Sequence, residues 1–321
     1  MFGSVAVLFT VGIALAAASQ IPGNRALSMA LCITAVGLGA RHAFDIDHIA
    51  AIDTTTRAFL ARGTRTESIG FWFALGHSTI VVSAVVLLCL GFNAFTAQLS
   101  DEGSGLYAFA GIWGPAMAGS FLLLAAILNL GPLRRAFLAM RRGGYREQDR
   151  ALPGGVLGRV LQPAIARVTR PWHMYVVGFL FGLGFDTAST IGLLALGGAV
   201  VPGAPSWTAL ALPVLFTAGM VLFDTLDGIL MQHAYAWSQT DRTRRAGYDF
   251  TITAVSVTVA LAVGTLSLLE AARTGAGGSA GALDWLDAID LSTAGPTVVA
   301  LLLAIWGIAV LARRSTQLRT R

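Results

Sequence analysis

Residues 39–57 read "GARHAFDIDHIAAIDTTTR". The stretch grows out of an apolar run, "LCITAVGLGA" over 31–40, yet it carries His42, Asp45, Asp47 and His48 in close succession. An aspartate at the centre of a bilayer costs about 2.5–3.5 kcal/mol on insertion scales. A lone helix in lipid has nothing to offset such groups, whereas a bundle can turn them inward. If this run crosses a membrane, it belongs to a bundle with a polar interior.

The rest of the chain supports the membrane. Of its 321 residues 55% are hydrophobic and 12% charged, with mean hydropathy +0.70, against about 25% charged in a soluble domain. Apolar runs of spanning length recur at about 2–20, 27–52, 67–92, 108–131, 173–200, 207–236, 249–270 and 293–312. The expectation is an all-α integral membrane protein, a polytopic bundle of about eight spans forming one domain over 1–321. The first run lacks a basic leader and is read as the first span rather than a signal peptide.

All 22 basic residues are arginine. Without lysine there is no Walker A motif, so the chain does not split ATP in that way. Nineteen of the 22 arginines fall on one side of the expected bundle. Arg57, Arg62 and Arg65 follow the second span, and nine lie in a basic loop at about 133–172. Arg242, Arg244 and Arg245 follow the sixth span, and four more close the chain. The opposite side has Arg25 and Arg273 together with Asp101, Glu102, Asp284, Asp287 and Asp290, the last three in a Gly-rich, then acidic loop at about 272–291. The positive-inside rule puts both termini in the cytoplasm. The net charge of +5 is thus a topology signal and not a nucleic-acid footprint. Cys32 and Cys89 sit in apolar segments and read as small buried hydrophobes.

Five aspartates fall within expected spans: Asp45, Asp47, Asp186, Asp224 and Asp227. Facing lipid, they would cost roughly 12–18 kcal/mol, more than the net stability of a typical domain. They therefore face inward. Arg41 alone cannot neutralise them, which leaves protonation or a bound cation. His42, His48 and, in "ALGHSTIV", His77 narrow the choice. Imidazole with carboxylate suits zinc, nickel, cobalt, copper or iron, whereas magnesium and calcium prefer oxygen shells. These polar groups lie about 5–13 residues from the inner ends of four separate spans, a shared depth at 1.5 Å rise per residue.

Helical geometry conflicts with one simple arrangement. At about 100° per residue, His42, Asp45 and His48 follow one stripe, and Asp47 lies about 100° from His48. A regular helix cannot aim all four at one ion. Either one carboxylate has another role, or the helix is broken, as Gly37 and Gly39 would permit. Asp45 suits either direct ligation or orientation of a ligating histidine.

Several motifs together resemble the nickel/cobalt transporter (NiCoT) family. "RHAFDIDHI" is similar to its RHAFDADHI hallmark, with H-x4-D-H at His42, Asp47 and His48. "LGHS" at 75–78, "LGFDTAST" at 183–190 and "GMVLFDTLDG" at 219–228 match further family segments in order. The resemblance covers most of the chain. It implies uptake of Ni²⁺ or Co²⁺ across the cell membrane, with the ion as cargo and no cofactor or ATPase subunit. It carries metal recognition onto His42, Asp47, His48 and His77, with Asp45, Asn129, Asp186, Asp224 and Asp227 as supporting or pathway residues. The chain departs from the family at Thr190, where glutamate is usual, at Asp249, where asparagine is common, and in lacking an asparagine in its first span. These departures bear on metal preference.

The rival readings have weaker support. Related exporters tend to have a His-rich loop, absent here, and intramembrane metalloenzymes need HExxH or several histidine boxes, whereas the chain holds five histidines in all. His173 beside Trp172 reads as an interfacial anchor, and His233 as structural. Oligomeric state is not encoded in any of these patterns.

Overall fold

The fold is that of a computed structural model. It describes residues 1–18, 25–60, 63–64, 66–90, 98, 103–144, 170–184, 210–237, 242–276, 297–302, 304–305 and 307. Among the described residues there is no strand. The helices are α1 (Phe2–Ala18), α2 (Arg25–Ala43), α3 (Ile46–Leu60), α4 (Ile69–Cys89) and α5 (Gly105–Arg142). A short 3₁₀ turn at Pro171–His173 leads into α6 (Met174–Phe181), after which come α7 (Ala211–Trp237) and α8 (Arg242–Gly275). Residues 297–302 are also helical, within the expected last span.

Among the described residues four segments are long and apolar enough to cross a bilayer: Ile69–Leu87, Gly105–Arg142, Ala211–His233 and Ala246–Gly275. Met29–Ala43 and Ile46–Leu60 together make a fifth, bent by 54°. Val7, Ile13, Met29 and Ile33 stand exposed, as suits side chains that meet lipid. The chain is built as a multi-pass membrane protein.

Three boundaries differ from the sequence expectation. The second span does not stop at 52 but resumes after a break and runs to Leu60. Helix α5 continues to Arg142, so the first part of the expected basic loop is helical. There Gly143, at φ 76°, takes the left-handed conformation and gives its N–H to the closing carbonyls. Helix α8 starts at Arg242 and runs through Gly275, beyond the expected 249–270. In each case hydropathy falls where charges begin, while backbone hydrogen bonding carries on past the apolar slab.

Helix α7 is the hub, packed against α1, α2, α3 and α4. Helix α6 packs on α4, α5 lies along α8, and both α5 and α8 flank α3. In lipid no hydrophobic drive joins helices, so close backbone approach through small residues does that work. A Cβ on Gly39 would lie 2.0 Å from the Phe216 carbonyl oxygen, and one on Gly70 1.9 Å from that of Asp224. Hydrogen alone fits, so α2 and α4 are both seated directly on the α7 backbone.

Candidate metal centre

Helix α2 ends at Ala43, and its last turn closes tightly. Phe44 N–H bonds to the Arg41 carbonyl at 2.9 Å and Asp45 N–H to that of His42 at 3.0 Å. The Asp45 carbonyl then accepts from Ile49 N–H at 3.2 Å and opens α3. The helix is broken here, which frees His42 from the wheel of His48, while Asp47 and His48 stay on one helix. His42 belongs to the last turn of α2 and His48 to the first turn of α3, so the two rings face each other across the bend, 4.8 Å between centroids. His77, midway along α4, completes a triangle at 4.9 Å from His42 and 4.8 Å from His48.

All three histidines are buried, at 9%, 1% and 3% exposure. A ring nitrogen from each lies within 4.8 Å of the others, a group able to hold a metal ion. Nitrogens sharing one zinc-sized ion through bonds of about 2.0–2.1 Å lie roughly 3.0–3.4 Å apart. His42 Nε2 and His77 Nε2 already lie 3.0 Å apart.

Two carboxylates set the ring orientations. His42 Nδ1 meets Asp45 Oδ2 at 2.6 Å, and His48 Nδ1 meets Asp224 Oδ2 at 3.3 Å. A carboxylate on Nδ1 holds the proton there and leaves Nε2 as the electron-pair donor. His48 Nε2 is buried without a hydrogen-bond partner among the described residues, the condition a metal would satisfy. Phe73 stands edge-on to His48 at 4.8 Å, and Phe216 lies 5.7 Å from His42. The wall is aromatic, which keeps the imidazole donors in a poorly hydrated setting.

The other expected site residues divide. Asp47 sits in the first turn of α3, where its Oδ1 accepts the His48 N–H at 3.0 Å, and it is not part of the three-imidazole group. Carboxylates at that end of a helix are favoured by the peptide dipoles. Asn129 is buried on α5 and gives its amide to the Ala125 carbonyl at 2.9 Å, within its own helix. Asp227, three residues beyond Asp224 on α7, has both carboxylate oxygens buried without a hydrogen-bond partner among the described residues. Asp186 and Thr190 lie outside the described residues. His173 packs edge-on against Trp172 at 4.2 Å, and His233 Nδ1 bonds to the Ile229 carbonyl at 2.8 Å. Neither belongs to the triangle.

Sequence reasoning missed a second polar focus. Arg57, counted among the loop arginines, lies inside α3 at 8% exposure. It donates to Thr253 Oγ1 at 2.5 Å, Ser256 Oγ at 2.6 Å and the Ile252 carbonyl at 3.2 Å, all on α8. It also lies 3.6 Å from the Asp53 carboxylate, one turn back on α3. The i,i+4 spacing in "DTTTR" is the signal that points to it. Hydropathy hides that signal, because it ends the span at 52. The arginine asymmetry survives the loss of this one member.

Comparison with known proteins agrees with this chemistry. The NicO family model, described as high-affinity nickel-transport protein, matches residues 28–312. The nickel transporter NicT of Mycobacterium tuberculosis is 43% identical over 296 residues, covering 90% of this chain and 80% of that protein. A high-affinity nickel transport protein of Cupriavidus necator is 41% identical over 271 residues, 82% of this chain and 76% of its own length. The cobalt transport protein NhlF of Rhodococcus rhodochrous is 39% identical over 273 residues, 81% and 76% of the two chains. No solved structure matches. The family consists of permeases and not enzymes. A family model running almost from end to end, with relatives at about 40% identity, settles the assignment: the chain belongs to the NicO family of high-affinity nickel-transport proteins.

Proposed function

We propose that this chain is an uptake permease for Ni²⁺ or Co²⁺ in the cell membrane. Its single transport domain spans 1–321, with about eight crossings and both termini in the cytoplasm. The reading rests on one observation above all: three buried imidazoles from three helices meet, two of them with Nδ1 on a carboxylate. Such a set favours late first-row divalent ions over Mg²⁺ and Ca²⁺. The family name and the nickel and cobalt relatives support the same two metals.

In this mechanism His42, His48 and His77 take the place of the ion's water. Asp45 and Asp224 keep the ring nitrogens presented and supply negative charge. Asp47 secures the first turn of α3, on which His48 is carried. The break between α2 and α3 separates two of the three donors onto elements able to move apart, a recurring transporter device. An inside-negative potential favours entry by about 4.6 kcal/mol per divalent ion per 100 mV, and no ATPase subunit is needed.

The test is uptake of radiolabelled nickel by proteoliposomes holding the full chain under an inside-negative potential. Uptake should be blocked by Co²⁺ and indifferent to Mg²⁺. Net efflux from preloaded vesicles would reverse the direction, and normal uptake by His48→Ala would remove the imidazole triangle from the mechanism.

A further inference from the structure

The permease reading leaves a question at Asp227. It is 8% exposed, and among the described residues neither of its carboxylate oxygens has a hydrogen-bond partner. The charged groups acting on it are Asp224 and Asp53, both of its own sign. A buried carboxylate with neither partner nor countercharge is costly. Asp224 Oδ1 is likewise buried and unpartnered. Three carboxylates thus gather where α3 meets α7.

Register places this gathering. Helices α3 and α7 run side by side in the same direction. His48 meets Asp224 at 3.3 Å, and four residues on, Ile52 Cγ2 would lie 3.6 Å from a Cβ on Gly228. Asp53 and Asp227 are therefore level with each other, ~4.5–7.5 Å along the axes past His48 and Asp224 at 1.5 Å per residue. That direction leads to the helix ends at Leu60 and Trp237, where the sequence goes on to Arg62 and Arg65, and to Arg242, Arg244 and Arg245. Those are the cytoplasmic ends by the charge rule.

We propose that Asp227 and Asp53 form a second, all-oxygen station for the same divalent ion, entered from the imidazole triangle and emptied to the cytoplasm. This rests on the permease reading and adds a release step to it. The chemistry gives the step a direction. Imidazole nitrogen suits nickel and cobalt, whereas carboxylate oxygen belongs with magnesium, calcium and manganese. An ion passing from the triangle to the carboxylates thus moves to a weaker site, as conduction requires. Arg57, 3.6 Å from Asp53, sets a fixed positive charge beside the station. It balances Asp53 and repels the arriving ion, which shortens its stay. Arg57 is a positioning residue here, held by Thr253 and Ser256.

Equilibrium binding of Co²⁺ to the full chain in lipid nanodiscs tests this, read by stoichiometry and by the visible absorption of nitrogen-ligated cobalt. Wild type should bind one tight, nitrogen-ligated equivalent and one at least 100-fold weaker. Asp227→Asn should lose the weak equivalent, keep the tight one within twofold, and slow nickel uptake into proteoliposomes at least tenfold. Asp53→Asn gives the same test from α3 should the first variant fail to insert. A weak equivalent retained in both variants, unchanged uptake, or loss of the tight equivalent's spectrum in both would each overturn the station. One equivalent in wild type would sink the station alone. Absence of any nitrogen-ligated cobalt would sink the permease site beneath it.

Discussion

Helix α3 carries two buried polar groupings of opposite character. At its start His48 faces Asp224 with one ring nitrogen and leaves the other unpartnered. At its far end Arg57 is tied to Asp53 and to two hydroxyls and a carbonyl on α8. The first grouping keeps donor capacity in reserve and suits a passing ion. The second holds Arg57 to a neighbouring helix, which suits a joint, beside the carboxylate that serves the proposed release station. Burial alone does not separate them, since all of these residues are buried. What separates them is how the ring or guanidinium nitrogens are used: His48 Nε2 is left for a ligand, whereas both terminal nitrogens of Arg57 are held by α8.

Substitutions can break this contrast. His48→Ala should have the largest effect on transport, reducing nickel accumulation by more than 100-fold while leaving the chain inserted; membrane fractionation alongside uptake checks both. Arg57→Leu should act on stability first. It removes the cation beside buried Asp53, a change that costs about 3–5 kcal/mol where one partner of a buried pair is removed. Thermal unfolding in detergent should show it, and adding Asp53→Asn should recover part of the loss. If Arg57→Leu unfolded no earlier than wild type, the joint would be no joint. Asp45→Asn should weaken metal binding by about 10–100-fold, the usual penalty for losing the carboxylate behind a ligating histidine. Calorimetric titration with Co²⁺ reads it directly. Asn129→Ala should matter least, since its amide serves its own helix. Uptake within twofold of wild type is expected, and a larger loss would return Asn129 to the ion's path.

The helical class, two buried aspartates, Asp224 and Asp227, and the buried histidines were legible because lipid makes polar residues conspicuous. His42, His48 and His77 could be named from charge and depth alone. The break in the second span was legible as one of two ways out of a contradiction, because a straight helix could not converge its own donors. Which carboxylate backs which histidine was not legible. Asp224 is 176 positions from His48 in the chain, and only the parallel run of α3 beside α7 brings them together. Asp53 and Arg57 escaped for a different reason. Hydropathy marks where a helix leaves lipid, and α3 stays buried among other helices after its sequence has turned polar.

Gly70 carries a consequence for the imidazole triangle. With Asp224 backbone oxygen 1.9 Å from the place of its missing Cβ, it fixes how near α4 comes to α7. Two turns further along α4 stands His77, while Asp224 on α7 aims His48. The crossing is thus a gauge for the gap between two of the three donors, accurate to less than a methyl group. A methyl group added at Gly70 would part these two helices and move His77 relative to the carboxylate that aims His48.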